Sequence, residues 1–83
     1  MTRKTRDGLK LRKIVCALEQ LAGVVVRHGS NHPYVAFRSG YSVPCPVATS
    51  TDVRKMVVPW VKHVTDYSNS REIYRALSAG RWE

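Results

Sequence analysis

One histidine in this sequence, His32, stands where a side chain could act as a general acid or base. It follows turn-forming residues at 29–31 and precedes an apolar and aromatic run typical of a β-strand. Cleaving a phosphodiester bond through a neighbouring 2′-hydroxyl needs a base for the hydroxyl proton and cationic donors for the phosphorane. Neighbouring positive charge disfavours imidazolium, so a histidine among arginines tends to stay neutral and able to accept a proton.

Strand alternation predicts which side chains accompany this histidine. We expect Val35 and Phe37 to pack against the helices, which directs the residues of opposite parity to the open face of the sheet. The preceding strand, with its first and third valines inward, directs Arg27 to solvent. The predicted open face carries His32, Tyr34, Arg38 and Arg27. A solvated polar face without chemistry is the alternative interpretation.

Further polar and basic residues are candidates for contact with nucleic acid. Ser30 and Asn31 precede the histidine, and Lys10 and Lys13 lie on the first predicted helix. Five basic residues either position phosphates or are simply solvated charges: Lys10, Arg12, Lys13, Arg54 and Lys55.

No metal or other cofactor is expected. The histidines at 28, 32 and 63 have no cysteine or second carboxylate at a ligand spacing. Trp60 and Trp82 could stack on bases, but we expect Trp60 in the core or in a helix contact. The cysteines, Cys16 and Cys45, have no C-x-x-C spacing, and we expect reduced, partly buried thiols.

The net charge of the chain indicates which classes of partner it can bind. The 83 residues hold 14 lysines and arginines against 6 acids, a net charge of +8. The positive electrostatic field of such a charge attracts phosphate polyanions or an acidic protein. The basic start lacks the apolar core of a signal peptide, and no apolar stretch is long enough to span a membrane. These features predict a cytoplasmic protein that binds nucleic acid.

The hydrophobic pattern predicts one α+β domain over residues 1–83, with a basic arm at 1–7. Apolar residues recur at helical spacing from Leu11 to Ala22, which predicts a helix over 8–22. Three short antiparallel strands follow, with helices on one face of their sheet; prolines end the third strand or place it at an edge. The later elements are a helix starting near Pro59 and a short last helix, within a C-terminal extension at 68–83, between the capping residue Asn69 and Gly80.

The stretch Arg27-His28-Gly29-Ser30-Asn31-His32, with the strand run and Ser39-Gly40 turn behind it, resembles the HicA family of toxins from bacterial toxin–antitoxin modules. The resemblance covers about residues 9–67. It implies an α-β-β-β-α fold like a double-stranded-RNA-binding domain and a metal-independent mRNA endonuclease neutralised by a HicB antitoxin. It also implies that His32 is catalytic and that Gly29 forms the turn presenting it. Where the family often has a second histidine, this chain has Cys45-Pro46-Val47.

Two other functions fit the same residues. One is a non-catalytic basic module that binds the backbone of RNA and does not cleave it. In one form of this hypothesis the module is encoded by a phage. The other is an interaction protein whose basic surface meets only an acidic protein. Substitution of His32 separates the enzyme from the binding module, and the salt dependence of RNA binding separates both from the third.

Overall fold

The computed structural model describes residues 3–28 and 33–82, and it has the predicted α+β architecture with a three-stranded antiparallel sheet. The elements in chain order are α1 (Leu11–Glu19), β1 (Val24–Arg27), β2 (Tyr34–Arg38), β3 (Tyr41–Val47), a π-helix (Val53–Val57), α2 (Val58–Val64) and α3 (Ser70–Ala79).

Helix α1 forms because its apolar residues share one face. Leu11, Ile14 and Leu18 recur at helical spacing and are all buried. The helix is shorter than the predicted 8–22. Gly8 has a φ of +88°, a left-handed conformation that no α-helix contains, and the helix ends at Glu19.

The basic N-terminal segment packs onto the body of the protein. Thr5 is buried, and its hydroxyl donates to Oδ1 of Asp7 over 2.7 Å. The same carboxylate oxygen accepts from the N–H of Val53, at the start of the π-helix, over 3.2 Å. Burial alone raises the pKa of Asp7, but these two hydrogen bonds hold it below its ordinary value.

Strand β2 lies at the centre of the sheet, with β1 and β3 at the edges. Its Ala36 stands opposite Val26 on β1 and Cys45 on β3. Strand β3 runs on through Pro44 and Pro46. An edge strand tolerates proline because the missing N–H costs no ladder hydrogen bond on its open side. Of the two alternatives that the prolines left open, the structure shows the edge position and not an early end of the strand.

The helix signals in the second half of the chain are confirmed. Pro59 lies in the first turn of α2, where its missing N–H has no intrahelical partner to lose. Oδ1 of Asn69 accepts from the N–H groups of Arg71 and Glu72, over 2.9 and 3.1 Å, and so caps α3. Gly80 ends that helix with a φ of +79°.

The core lies between the helices and one face of the sheet. Trp60 is buried there, and its Nε1 donates to the carbonyl of Val43 on β3 over 2.7 Å, so the expectation for Trp60 is confirmed. Cys16 and Cys45 are both free thiols. Cys45 is buried, but Cys16 is exposed, and the expectation that both are partly buried is wrong. None of the helices in the described residues is long and apolar enough to cross a membrane.

Candidate nucleic-acid interface

The connection between β1 and β2 carries the predicted catalytic residue. Gly29, Ser30, Asn31 and His32 lie outside the described residues, so their predicted roles remain predictions. The residues on either side are described. The rings of His28 and Tyr34 have centroids 4.9 Å apart, with their planes tilted by 39°. The connection therefore leaves and re-enters the described fold at one end of the sheet.

Arg27 lies where the sequence predicts. It is the last residue of β1 and is exposed. In register it stands opposite Val35 on β2, so both belong to the outer face of the sheet, away from the helices. A guanidinium here is accessible to a phosphate that approaches the outer face.

The predicted orientation of β2 is wrong. Ala36 is fully buried, whereas Phe37 is 43% exposed. Tyr34 and Arg38 share the parity of Ala36, so they face the helices and not the open face with Arg27. Cross-strand partners explain this. Val26 and Cys45, opposite Ala36, both face the core, and one strand can present only one parity to it.

Arg38 is a half-buried side chain held by backbone carbonyls. Its Nε donates to the carbonyl of Val64, near the end of α2, over 3.3 Å, and its Nη1 donates to the carbonyl of Ser39 over 2.8 Å. It lines an open cleft of about 700 Å³ together with Gln20 and His63. The hydrogen bonds fix the guanidinium as a link between β2 and α2. Contact of Arg38 or Tyr34 with nucleic acid stays a prediction.

The outer face of the sheet is apolar where the sequence predicts a polar surface. Val25 is 50% exposed and stands directly opposite Phe37. Together with Val35 and Arg27 they form a surface that we call the outer patch. An aromatic ring and a valine thus lie exposed side by side on the sheet.

The remaining candidates are distributed over other surfaces. Lys10 and Lys13 are exposed at the start of α1, which is compatible with their predicted contact with phosphate. Trp82 is half-buried, and its Nε1 donates to the carbonyl of Ala17 over 2.7 Å. Its ring stacks on Tyr67, with centroids 4.5 Å apart, so its described contacts are within the fold.

The described part of the chain contains possible metal ligands and the buried thiol of Cys45. Residues 3–28 and 33–82 contain no cluster of three or more histidine, cysteine or acidic side chains that could hold a metal ion. Burial raises the pKa of Cys45 to about 12, which keeps the thiol protonated and a poor nucleophile.

A scan against protein-family models, a search of curated proteins and a search of solved structures found no match to this chain.

The sequence-based reasoning named Arg54 as a phosphate-positioning or solvated charge, but it missed Arg71 and Arg75 and the cluster that they form with Arg54. Arg71 and Arg75 lie four residues apart on α3, and both line one cleft with Arg54 of the π-helix. Their spacing along the helix was a visible signal, since residues at i and i+4 share a face. The contribution of Arg54 depends on how α3 packs on the π-helix, and no sequence pattern shows that packing.

Proposed function

We propose that this chain is an RNA-binding endoribonuclease of the HicA type, with a fold like a double-stranded-RNA-binding domain. One observation carries the proposal. The motif Gly29-Ser30-Asn31-His32 falls at the β1–β2 connection of an α-β-β-β-α chain with a net charge of +8. The motif, the order of elements and the charge each fit such an enzyme, and the proposal rests on their combination.

In this proposal His32 is the general acid or base. It takes the proton of a 2′-hydroxyl as that oxygen attacks the neighbouring phosphorus, and the 5′-oxygen of the next nucleotide leaves. Arg27, exposed at the end of β1, supplies a cationic donor to the phosphorane. Nothing in this mechanism needs a metal ion. The substrate is mRNA, and the protein acts in the cytoplasm.

A HicB-type antitoxin is the proposed protein partner. The outer patch joins the exposed side chains of Val25 and Phe37 to the positive charge of Arg27. An acidic protein with apolar side chains of its own complements this surface in both charge and hydrophobicity. Bound there, it would cover the face of the sheet on which Arg27 lies and block access to it.

A non-catalytic RNA-binding module is the second candidate. The observation in its favour is the orientation of β2. Tyr34 and Arg38, two of the side chains expected beside the histidine on the open face, face the helices instead. Of the described side chains predicted to accompany His32, Arg27 alone lies on the outer face. A protein that only binds RNA does not need the other two there.

Induced expression in bacteria tests the proposal. The wild-type chain is expected to arrest growth and degrade mRNA, and the chain with His32→Ala is expected to do neither at the same protein level. Arrest by both chains would show that toxicity does not depend on His32. Arrest by neither, with RNA binding intact, would favour the binding module.

A further inference from the structure

A basic cleft lies between the π-helix, α2 and α3. Its volume is about 610 Å³, and it is open to solvent. The residues that line it are Arg54, Val58, Ser70, Arg71, Tyr74 and Arg75. The lining thus brings three guanidinium groups together with two hydroxyl groups. Burial and the nearby carboxylate of Asp7 raise the pKa of Tyr74, so one carboxylate lies next to the cleft.

Arg54 is held at the wall of this cleft by an aromatic ring. Its Cζ atom lies 4.6 Å from the centroid of Tyr74, within the range of a cation–π contact. Tyr74 is half-buried on α3, which limits the movement of its ring. The guanidinium of Arg54 is therefore oriented before any ligand arrives, and a ligand need not supply that ordering.

The positions of Arg71 and Arg75 reduce the stability of α3. They stand at i and i+4 on α3, so their like charges repel across one turn. The third guanidinium, from Arg54, adds to that repulsion. An anion in the cleft relieves all three repulsions at once. Asp7, close to Tyr74 and Arg54, offsets part of this repulsion, and a negatively charged ligand in the cleft would offset more of it.

Side chains, and not the N–H groups at the start of α3, are the donors available to an anion in this cleft. The N–H groups of Arg71 and Glu72 already donate to Oδ1 of Asn69. An anion must therefore bind to the guanidinium groups and to the hydroxyls of Ser70 and Tyr74. Guanidinium groups bind phosphate through paired N–H donors, which suits a phosphodiester better than a single point charge would.

We propose that Arg54, Arg71 and Arg75 form a binding site for the phosphodiester backbone of RNA. The site rests on the proposed function, to which it adds the surface that holds the substrate. Arg71 and Arg75 are separated by about 6 Å along the helix axis, a spacing on the scale of one nucleotide, so they can contact successive phosphates. Backbone contacts of this kind position a strand without reading its sequence.

An acidic protein is the competing ligand, and the lining disfavours it. Stable protein interfaces are centred on buried apolar side chains, and Val58 is the one aliphatic side chain among the described residues that line this cleft. The outer patch, with Val25 and Phe37 exposed, is the better protein surface. The structure thus assigns phosphate to the basic cleft.

Arg71→Glu, with Arg81→Glu as its control, tests the site in the full chain. Each variant lowers the net charge by two, from +8 to +6, and Arg81 is exposed beyond α3 and outside the cleft lining. The probe is a labelled single-stranded RNA with 2′-O-methyl groups, which cannot be cut because its 2′-oxygen carries no proton. The affinity is measured over a range of salt concentrations.

Arg71→Glu is expected to weaken RNA binding by at least tenfold. It is also expected to make the negative slope of log K against log[salt] shallower by about 0.7 for each phosphate that the variant no longer neutralises. Arg81→Glu is expected to leave the slope unchanged. Unfolding does not account for such a loss, because Glu at position 71 suits the first turn of α3 and pairs with Arg75. The melting temperature of Arg71→Glu should equal or exceed that of the wild type.

The other possible results distinguish failure of the phosphate site from failure of the proposed function. Equal losses in the two variants would mean that RNA binds through diffuse charge, which overturns the site and leaves the proposed function standing. No RNA binding by the wild type, with binding to an acidic polypeptide, would overturn both. The selective loss in Arg71→Glu, together with an absence of cleavage by the wild type, would support the site and remove the catalytic function.

Discussion

The guanidinium of Arg38 packs against Gly23, and a Cβ atom at position 23 would lie 2.9 Å from its Cζ. This contact joins the turn after α1 to the end of β2. Arg38 also holds the carbonyls of Val64 and Ser39, so one side chain links three parts of the fold. The absence of a side chain at position 23 is what leaves room for it.

Gly23→Ala should therefore destabilise the protein more than Gly40→Ala. Both glycines have a left-handed φ, +76° and +85°, so both substitutions add strain of about 1–2 kcal/mol. A Cβ at position 40 meets nothing within 4 Å, whereas one at 23 displaces Arg38. The lost hydrogen bonds add about 0.5–1.5 kcal/mol, measured by urea unfolding.

The same pair of substitutions in an Arg38→Ala background provides the control. With the guanidinium removed, the two alanine substitutions should cost the same free energy of unfolding. A difference that persists without Arg38 would show that its displacement is not the cause.

The orientation of β2 predicts unequal costs for the same new residue at adjacent positions. Ala36→Thr should lower the free energy of unfolding by about 1–3 kcal/mol, because a larger side chain does not fit a fully buried site. Phe37→Thr, on the outer face, should cost less than Ala36→Thr in the same urea titration. The opposite order would mean that Phe37 packs in the core.

How far the sequence predicts this fold is clearest from β2. Its residues Tyr-Val-Ala-Phe-Arg include apolar side chains of both parities, so alternation alone does not choose the buried face. We expected the larger Val35 and Phe37 inside. Ala36 is the buried residue instead, because its partners on both neighbouring strands face the core. Strand pairing is tertiary structure, which the sequence of β2 alone does not show.

Local signals predict the helices better because they act within a few residues. The caps at Asn69 and Gly80 and the first-turn Pro59 are all found as expected. The exposure of Cys16 was also readable, since it stands two residues after the buried Ile14 and therefore on the opposite side of α1. Arg54 was named from the sequence as a phosphate-positioning or solvated charge, but its approach to Arg71 and Arg75 depends on tertiary packing.

The two thiols should differ in reactivity. Cys16 is exposed and should react quickly with Ellman's reagent at mildly alkaline pH in the folded protein. Cys45 is 2% exposed and should react only after denaturation. Cys16→Ser should abolish the fast reaction and leave the slow one. Two fast thiols in the wild type would contradict the burial of Cys45.

The buried thiol also makes stability depend on pH. Burial raises the pKa of Cys45 from 9.0 to about 12, so the unfolded chain loses this proton first as pH rises. The stabilising contribution is complete below pH 9 and is lost toward pH 12. The free energy of unfolding of the wild type should fall relative to that of Cys45→Ala between pH 7 and alkaline pH, about 10.5. A constant difference between the two would contradict it.

Binding to RNA should depend strongly on salt. With a net charge of +8, the protein's lysine and arginine side chains should displace salt cations from the RNA phosphates when it binds. The slope of log K against log[salt] should be roughly −0.7 for each phosphate neutralised on a single strand. Fluorescence anisotropy with the 2′-O-methyl RNA measures this slope, and an affinity that does not change with salt would exclude binding through phosphates.

The most direct test of the account is cleavage of a labelled RNA by the purified wild type, His32→Ala and His63→Ala, with a metal chelator present. The wild type should cut the RNA under these conditions. Loss of a positioned acid or base typically costs about 10²–10⁴-fold in rate, so His32→Ala should fall by that factor with its fold intact by circular dichroism. His63, exposed on α2 and remote in sequence from the motif, serves as the control, and His63→Ala should cut like the wild type. Cleavage by folded His32→Ala at the wild-type rate would contradict the claim that this histidine is the catalytic residue.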